Sequence, residues 1–233
     1  MIAVFYVLQL TESCVLLVSG NTYSHIFEKF IDFIGIKSLI ITDIDSEREF
    51  HEKDDQGKVK ISIKKCPVED TKADRTSNAS LKFYFKANLS TLKSGQNSLD
   101  FFKALTFKAK LLSKIKGKWT HSEQGNVLVI YQVAEENSDK VNYHARSFED
   151  AFFHLNRQFI IDKKTSFKSL KKIKYFDDTE YDPYILAEEC VGKKPSFAME
   201  ILLNSKTDTG RNDFSNWETP LYIKEGLSWL KQN

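Results

Sequence analysis

Leu39-Ile40-Ile41-Thr42-Asp43-Ile44-Asp45-Ser46 is the stretch on which the reading of the fold depends. A short apolar run bounded by polar residues reads as a buried strand. Here the run ends in two aspartates one residue apart. In open α/β sheets the ligand crevice lies beyond the carboxyl ends of the strands, and Asp43 and Asp45 sit at that end. Side chains alternate with period two along a strand, so both carboxylates can face the same way. Two convergent carboxylates offer the hard oxygen donors that suit Mg²⁺ or Mn²⁺. A solvated strand-to-loop turn, where Asp is common, accounts for the pair equally well. Spacing alone leaves both readings open.

Working outward, Val15 to Val18 is apolar and β-branched, and Ser19-Gly20-Asn21 makes a turn. Ser24 can cap a helix running to about Ile34. Phe27, Phe30, Ile31 and Ile34 recur at helical spacing, and Gly35 suits the C-terminal cap. Strand, turn, helix, strand is a βαβ unit, which implies parallel strands and a right-handed crossover. The apolar first twenty residues carry no basic leader and are interrupted by Gln9, Thr11, Glu12 and Ser13. They read as two strands, or a strand and a short helix, rather than a signal peptide or a membrane span.

Downstream, the charged segment 46–58 reads as loop, and "VKISIKK" (59–65) as a half-buried strand ended by Cys66-Pro67. Residues 69–80 are a polar loop. The aromatic and lysine-rich segment 81–119 reads as helical in two parts around Ser94-Gly95. "NVLVIYQV" (126–133) is the next strand. A helix over 147–158 has Ser147 and Asp150 at capping-box spacing and an apolar face of Phe148, Ala151, Phe152 and Leu155. Two more helices are expected near 196–204 and 220–231. With no internal repeat, the pattern is one α/β domain over residues 1–233, with a helical insertion at about 81–119.

The composition, 41% hydrophobic and 28% charged, belongs to a folded soluble protein, and 18 phenylalanines predict an aromatic-rich core. A net charge of +2 leaves nucleic-acid binding to the distribution of charge. One cluster is Lys103, Lys108, Lys110, Lys114, Lys116 and Lys118, interleaved with Phe101, Phe102, Phe107 and Trp119. A second is Lys163, Lys164, Lys168, Lys171, Lys172 and Lys174. Such patches can neutralise phosphates; solvated amphipathic helices with inward-facing aromatics explain them as well. Cys14, Cys66 and Cys190 are isolated, and no CxxC pair or HExxH pattern points to zinc. A reduced, cytoplasmic setting is the simplest expectation. There is no GxSxG, no Walker A motif and no GxGxxG.

Three further residue types bear on chemistry. Glu149, in the first turn of the 147–158 helix, could be a third carboxylate; acidic residues also favour that turn because of the helix dipole. Asp150 fits the capping-box position better. Lys194, ahead of Pro195 and a helix, could offset charge in a phosphoryl-transfer transition state, although most lysines are simply exposed. Thr76-Ser77-Asn78 could position a phosphate, and turn chemistry explains it as well.

Taken in order, these segments resemble the C-terminal Toprim nuclease domain of the OLD (overcoming lysogenization defect) family of ATP-dependent endonucleases, a group that includes the nuclease subunit of the Gabija antiviral system. The matching blocks are "VSGNTYSHIFEKFIDFIGIKSLIITDIDS" (18–46), "TSN" (76–78), "ARSFEDAFFHLN" (145–156), "KPSFAMEILL" (194–203) and "TPLYIKEGLSWL" (219–230). The resemblance implies a Toprim fold with a central parallel sheet flanked by helices. It implies a metal-dependent phosphodiesterase acting on DNA with Mg²⁺ or Mn²⁺, two ions in the complete site. Asp43 and Asp45 match the DxD metal ligands, Glu149 the carboxylate of "RSFED" with Asp150 assisting, and Lys194 the lysine near the scissile phosphate. It also implies an ABC-type ATPase domain or subunit as partner, a helicase as a further one, homo-oligomerisation and no membrane. The E-G-x-[ST]-E motif that opens a Toprim domain is not found, and Glu12 has neither its glycine nor its spacing. The expectation is therefore a Toprim domain truncated at its N-terminus. The alternative is a catalytically incomplete Toprim scaffold that binds DNA or a partner ATPase.

Overall fold

The apolar run of the opening stretch forms a strand, Lys37–Ile41, whose middle three residues are buried. The computed structural model describes residues 13–17, 24–53, 55–206 and 216–232. Expectations for residues 1–12, Glu12 among them, and for the Ser19-Gly20-Asn21 turn lie outside the described residues. The chain divides into two units, one of Met1–Tyr131 with Tyr222–Asn233, the other of Gln132–Leu221.

The first unit begins with β1 (Ser13–Leu17), a 3₁₀ turn at Ser24–Phe27 that runs into α1 (Glu28–Ile34), and β2 (Lys37–Ile41). β1 and β2 pair in parallel, Val15 opposite Leu39, so the expected βαβ unit is present. Gly35 closes α1 at φ 66°, its N–H donating to Ile31 O, a conformation that glycine adopts without strain. The apolar face of α1 is split: Ile31 is buried but Phe30 is exposed.

Next come β3 (Ser46–Lys53), β4 (Val59–Lys65) and the two-residue β5 (Arg75–Thr76), a separate sheet in the order β4-β3-β5. β4 has the bounds its alternation predicted, but it is not half-buried: Val59, Ile61 and Ile63 are exposed. β3 occupies the segment read as loop. Its charge hid it: the ladder with β4 aligns Phe50 with Ser62, and the Arg48 guanidinium lies 4.1 Å from the Phe50 ring centroid. At the other end Ser46 is fully buried, and its hydroxyl donates to Cys66 O at 2.6 Å.

The segment 81–119 is only partly helical. α2 (Ala79–Tyr84), α3 (Lys86–Leu89) and α4 (Ser98–Ala104) are followed by β6 (Leu111–Ile115) and β7 (Lys118–His121), an antiparallel hairpin. Its turn is Lys116 (φ 50°) and Gly117 (φ 77°), the pair of positive φ values that matches a hairpin's twist. The lysines made this stretch look like a helix surface, whereas its backbone completes a sheet. With β8 (Val127–Ile130) the main sheet has the order β1-β2-β8-β6-β7. β2 and β8 are parallel and β6 is antiparallel to β8. The protein is thus mixed α/β, with a sheet containing three parallel strands and flanked by helices.

The core of this unit joins Leu81, Tyr84, Phe85, Leu99, Phe102, Trp119 and Tyr131 to the apolar side of the sheet. Edge-on ring pairs, such as Phe85 with Phe102 at 5.5 Å, fill it as the phenylalanine content predicted.

The second unit holds the small hairpin β9 (Ala134–Glu136) and β10 (Asn142–His144), then α5 (Phe148–Asp162), α6 (Pro183–Cys190) and α7 (Lys194–Leu203). Its core is a phenylalanine cluster: Phe152, Phe153, Phe159, Phe167, Phe176 and Phe197. α6 was not foreseen, yet Asp182 caps it by accepting from Ile185 N–H at 2.7 Å, with Pro183 as its first residue. That is a start signal legible in "YDPY". α8 (Leu221–Lys231) returns to the first unit. A Cβ at Gly226 would meet the side chains of Ile130 and Leu39, so the glycine lets α8 sit close against β2 and β8.

Candidate functional site

Asp43 and Asp45 lie just beyond the carboxyl ends of three parallel strands. Ile41 pairs with Leu17 on one side and Ile130 on the other, and Thr42 N–H donates to Ile130 O at 2.9 Å. The strand itself stops at Ile41, so the two aspartates belong to a loop and the strand-alternation argument does not govern them. Ile44 is fully buried and anchors the loop in the core. Asp43 is half-buried. Asp45 is 3% exposed and holds φ 47°, a left-handed conformation that Asp tolerates better than most residues.

The loop is strapped by Thr76-Ser77-Asn78. Asn78 Nδ2 donates to Asp43 O at 2.6 Å and to Thr42 Oγ1 at 2.7 Å. Thr76 Oγ1 donates to Ile44 O at 2.6 Å, and Ser77 N–H to Asp45 O at 2.9 Å. Thr76 and Asn78 are fully buried. Sequence reading leaves this triplet open between a phosphate contact and turn chemistry; the structure turns all three of its side chains onto the backbone of the aspartate loop, Ser77 Oγ donating to Asp45 O at 3.3 Å. No local pattern could show this, because the partners are more than thirty residues apart.

Within the second unit, Glu149 and Lys194 form an ion pair, Nζ to Oε2 2.7 Å. Glu149 is in the first turn of α5 and its side chain is 7% exposed; Lys194 opens α7 with 59% of its side chain exposed. The resemblance blocks "RSFED" and "KPSF" thus meet at one contact. Asp150 is fully buried and accepts four hydrogen bonds, from Arg146 N–H (2.7 Å), Ser147 N–H (2.6 Å), Ser147 Oγ (2.6 Å) and Tyr143 Oη (3.0 Å). Burial pushes its carboxyl above the ordinary aspartate value, and these donors pull it part of the way back. Four donors fill the lone-pair positions of a carboxylate, so Asp150 serves as the N3 member of the capping box that starts α5, with Ser147 as the N-cap.

As to metal, Asp43 and Asp45 are of the right chemical kind. Mg²⁺ is usually held by one or two carboxylates, with water and substrate phosphate completing its shell. Among the described residues no three His, Cys, Asp or Glu side chains are gathered into a ligand group. The lysine clusters are partly committed elsewhere: Lys110 is buried, Lys114 pairs with Glu28 and Asp32, Lys164 with Asp177, and Lys172 with Glu189. Phe102 and Trp119 face the core.

The chain is similar to Endonuclease GajA of Bacillus cereus (strain HuB5-5). The two are 26% identical over 219 residues, which cover 90% of this chain but only 26% of the Bacillus protein. No family model matches, and no solved structure matches. Among the described residues no helix is long and apolar enough to cross a membrane.

Proposed function

We propose that this chain is a Toprim-type nuclease segment of a larger, OLD-like ATP-dependent endonuclease, hydrolysing DNA phosphodiester bonds with Mg²⁺ or Mn²⁺. The observation that carries this reading is the Asp43-Ile44-Asp45 loop, fixed at the carboxyl ends of three parallel strands. Likeness to an endonuclease along 90% of the chain supports it. Asp43 and Asp45 would hold the ion. When bound, a divalent ion lowers the pKa of water and polarises the phosphate. Lys194, a mostly exposed cation steadied by Glu149, is suited to offset negative charge developing on a phosphate oxygen. DNA is then the substrate. An ATPase portion of the same assembly, a helicase or a second copy are the natural partners, and anti-phage defence or DNA processing the setting.

The test is nicking of supercoiled plasmid in Mn²⁺ by the wild type, Asp43→Ala and Lys194→Ala. Each substitution is expected to lower the rate by about 10²-fold or more. Equal nicking by all three would overturn the assignment. A second reading, a catalytically incomplete scaffold that binds DNA or an ATPase, is favoured by the lack of a three-ligand group among the described residues. Retained DNA binding with no nicking by any of the three would select it.

A further inference from the structure

We infer that Asn78 and Thr76 are positioning residues for the aspartate loop, setting the geometry in which Asp43 and Asp45 act. The inference rests on the nuclease reading of that loop but is carried by a separate observation. Three successive carbonyls accept hydrogen bonds from the Thr76-Ser77-Asn78 strap: Asp43 O and Ile44 O one each, and Asp45 O two, from the Ser77 N–H and hydroxyl. After Thr42, whose N–H still donates to Ile130 O, the loop has left the sheet, so these bonds replace the strand pairing it lacks. They also hold Asp45 in its left-handed conformation, which a non-glycine residue keeps only when its surroundings fix it. The strap is itself anchored. Thr76 pairs with Ser46 in the β3–β5 ladder, and Asn78 caps α2 by accepting from Leu81 N–H at 3.0 Å. Two elements that carry no proposed catalytic group therefore fix the backbone from which both carboxylates project.

Asn78 does two jobs with two different atoms, so they can be separated. Asn78→Asp keeps the Oδ1 acceptor that caps α2, because Asp caps as well as Asn, and removes the Nδ2 donor that holds Thr42 and Asp43. Thr76→Val removes the hydroxyl donor to Ile44 O at nearly constant shape, and Thr76→Ser restores it. Outer-shell partners of metal ligands typically tune affinity by about 10–100-fold.

The experiment measures nicking against Mn²⁺ concentration, with Mn²⁺ binding followed by electron paramagnetic resonance and amide exchange read over residues 42–46. Asn78→Asp and Thr76→Val are expected to raise the half-saturating Mn²⁺ by about 10-fold or more. Both should speed exchange in 42–46 while the β2 amides stay protected, and Thr76→Ser should behave as wild type. If the wild type nicks plasmid and both variants need the same Mn²⁺, the positioning role is overturned while the nuclease reading stands. If the wild type does not nick, the nuclease reading of this chain fails. The exchange data then decide the strap alone: unchanged protection over 42–46 in both variants overturns it, and a rise confined to that loop upholds it.

Discussion

Lys110 shows what one side chain can cost. It is 2% exposed, and its Nζ lies 3.8 Å from the centroid of the Tyr131 ring. Burial pushes its ammonium down from 10.5 to about 8, with Glu225 opposing. The folded value lies below the unfolded one, so between about pH 8 and 10.5 the unfolded chain holds the extra proton. On this account stability rises with pH across that window, and below it the charged lysine is carried at full cost. Lys110→Met should therefore stabilise the protein at pH 7 by about 1–3 kcal/mol, the advantage shrinking towards pH 10.5. Urea titrations of both proteins at pH 7 and pH 10 check this; a pH-independent difference would sink it. The same residue illustrates the limit of reading charge from sequence. Six lysines in one stretch allow either a phosphate-binding face or a solvated helix surface, yet one is buried over a ring and another is tied to Glu28 and Asp32.

At the scale of elements, legibility followed the source of the stabilisation. β2, β4, α7 and α8 were readable from their own residue pattern, and α5 from its pattern together with its capping box. β3 and the β6–β7 hairpin were not, because stabilising partners come from elsewhere: Phe50 of β3 lies against Lys64 of β4, and Trp119 is buried in the core of the first unit. The candidate site divides in the same way. The aspartates and the Glu149–Lys194 pair were visible as residue types, whereas the strap exists only in three dimensions. α5 offers a test of a locally encoded device. Asp150 satisfies two backbone N–H groups and the Tyr143 hydroxyl at the start of the helix. Asp150→Ala would leave those buried donors unpaired, at a cost of about 2–4 kcal/mol. Chemical denaturation in EDTA should show the full loss. A loss that appears only when Mn²⁺ is present would instead make Asp150 a ligand.

At the scale of the molecule, the order of the chain has a mechanical consequence. The second unit is one continuous stretch, Gln132–Leu221, whereas the first is closed only when Tyr222–Asn233 comes back to it. Glycine at position 226 lets that returning helix lie against Leu39 and Ile130, and its Tyr222 and Leu230 are buried. Removing residues 220–233 should thus uncover the sheet of the first unit and leave the phenylalanine core of the second intact. Of the three tryptophans, Trp229 goes with the deletion, leaving Trp119 in the first core and Trp217 packed in the second, 5.6 Å from Phe152. In the truncated chain, emission from Trp119 is expected to shift to the red and its unfolding to lose cooperativity. Trp217 should keep its blue-shifted emission and a single transition, as separately organised cores require. Trp217→Phe and Trp119→Phe versions of the truncated protein isolate each signal. If both tryptophans unfold together, the two units are one cooperative structure; if neither responds, α8 is not what closes the first.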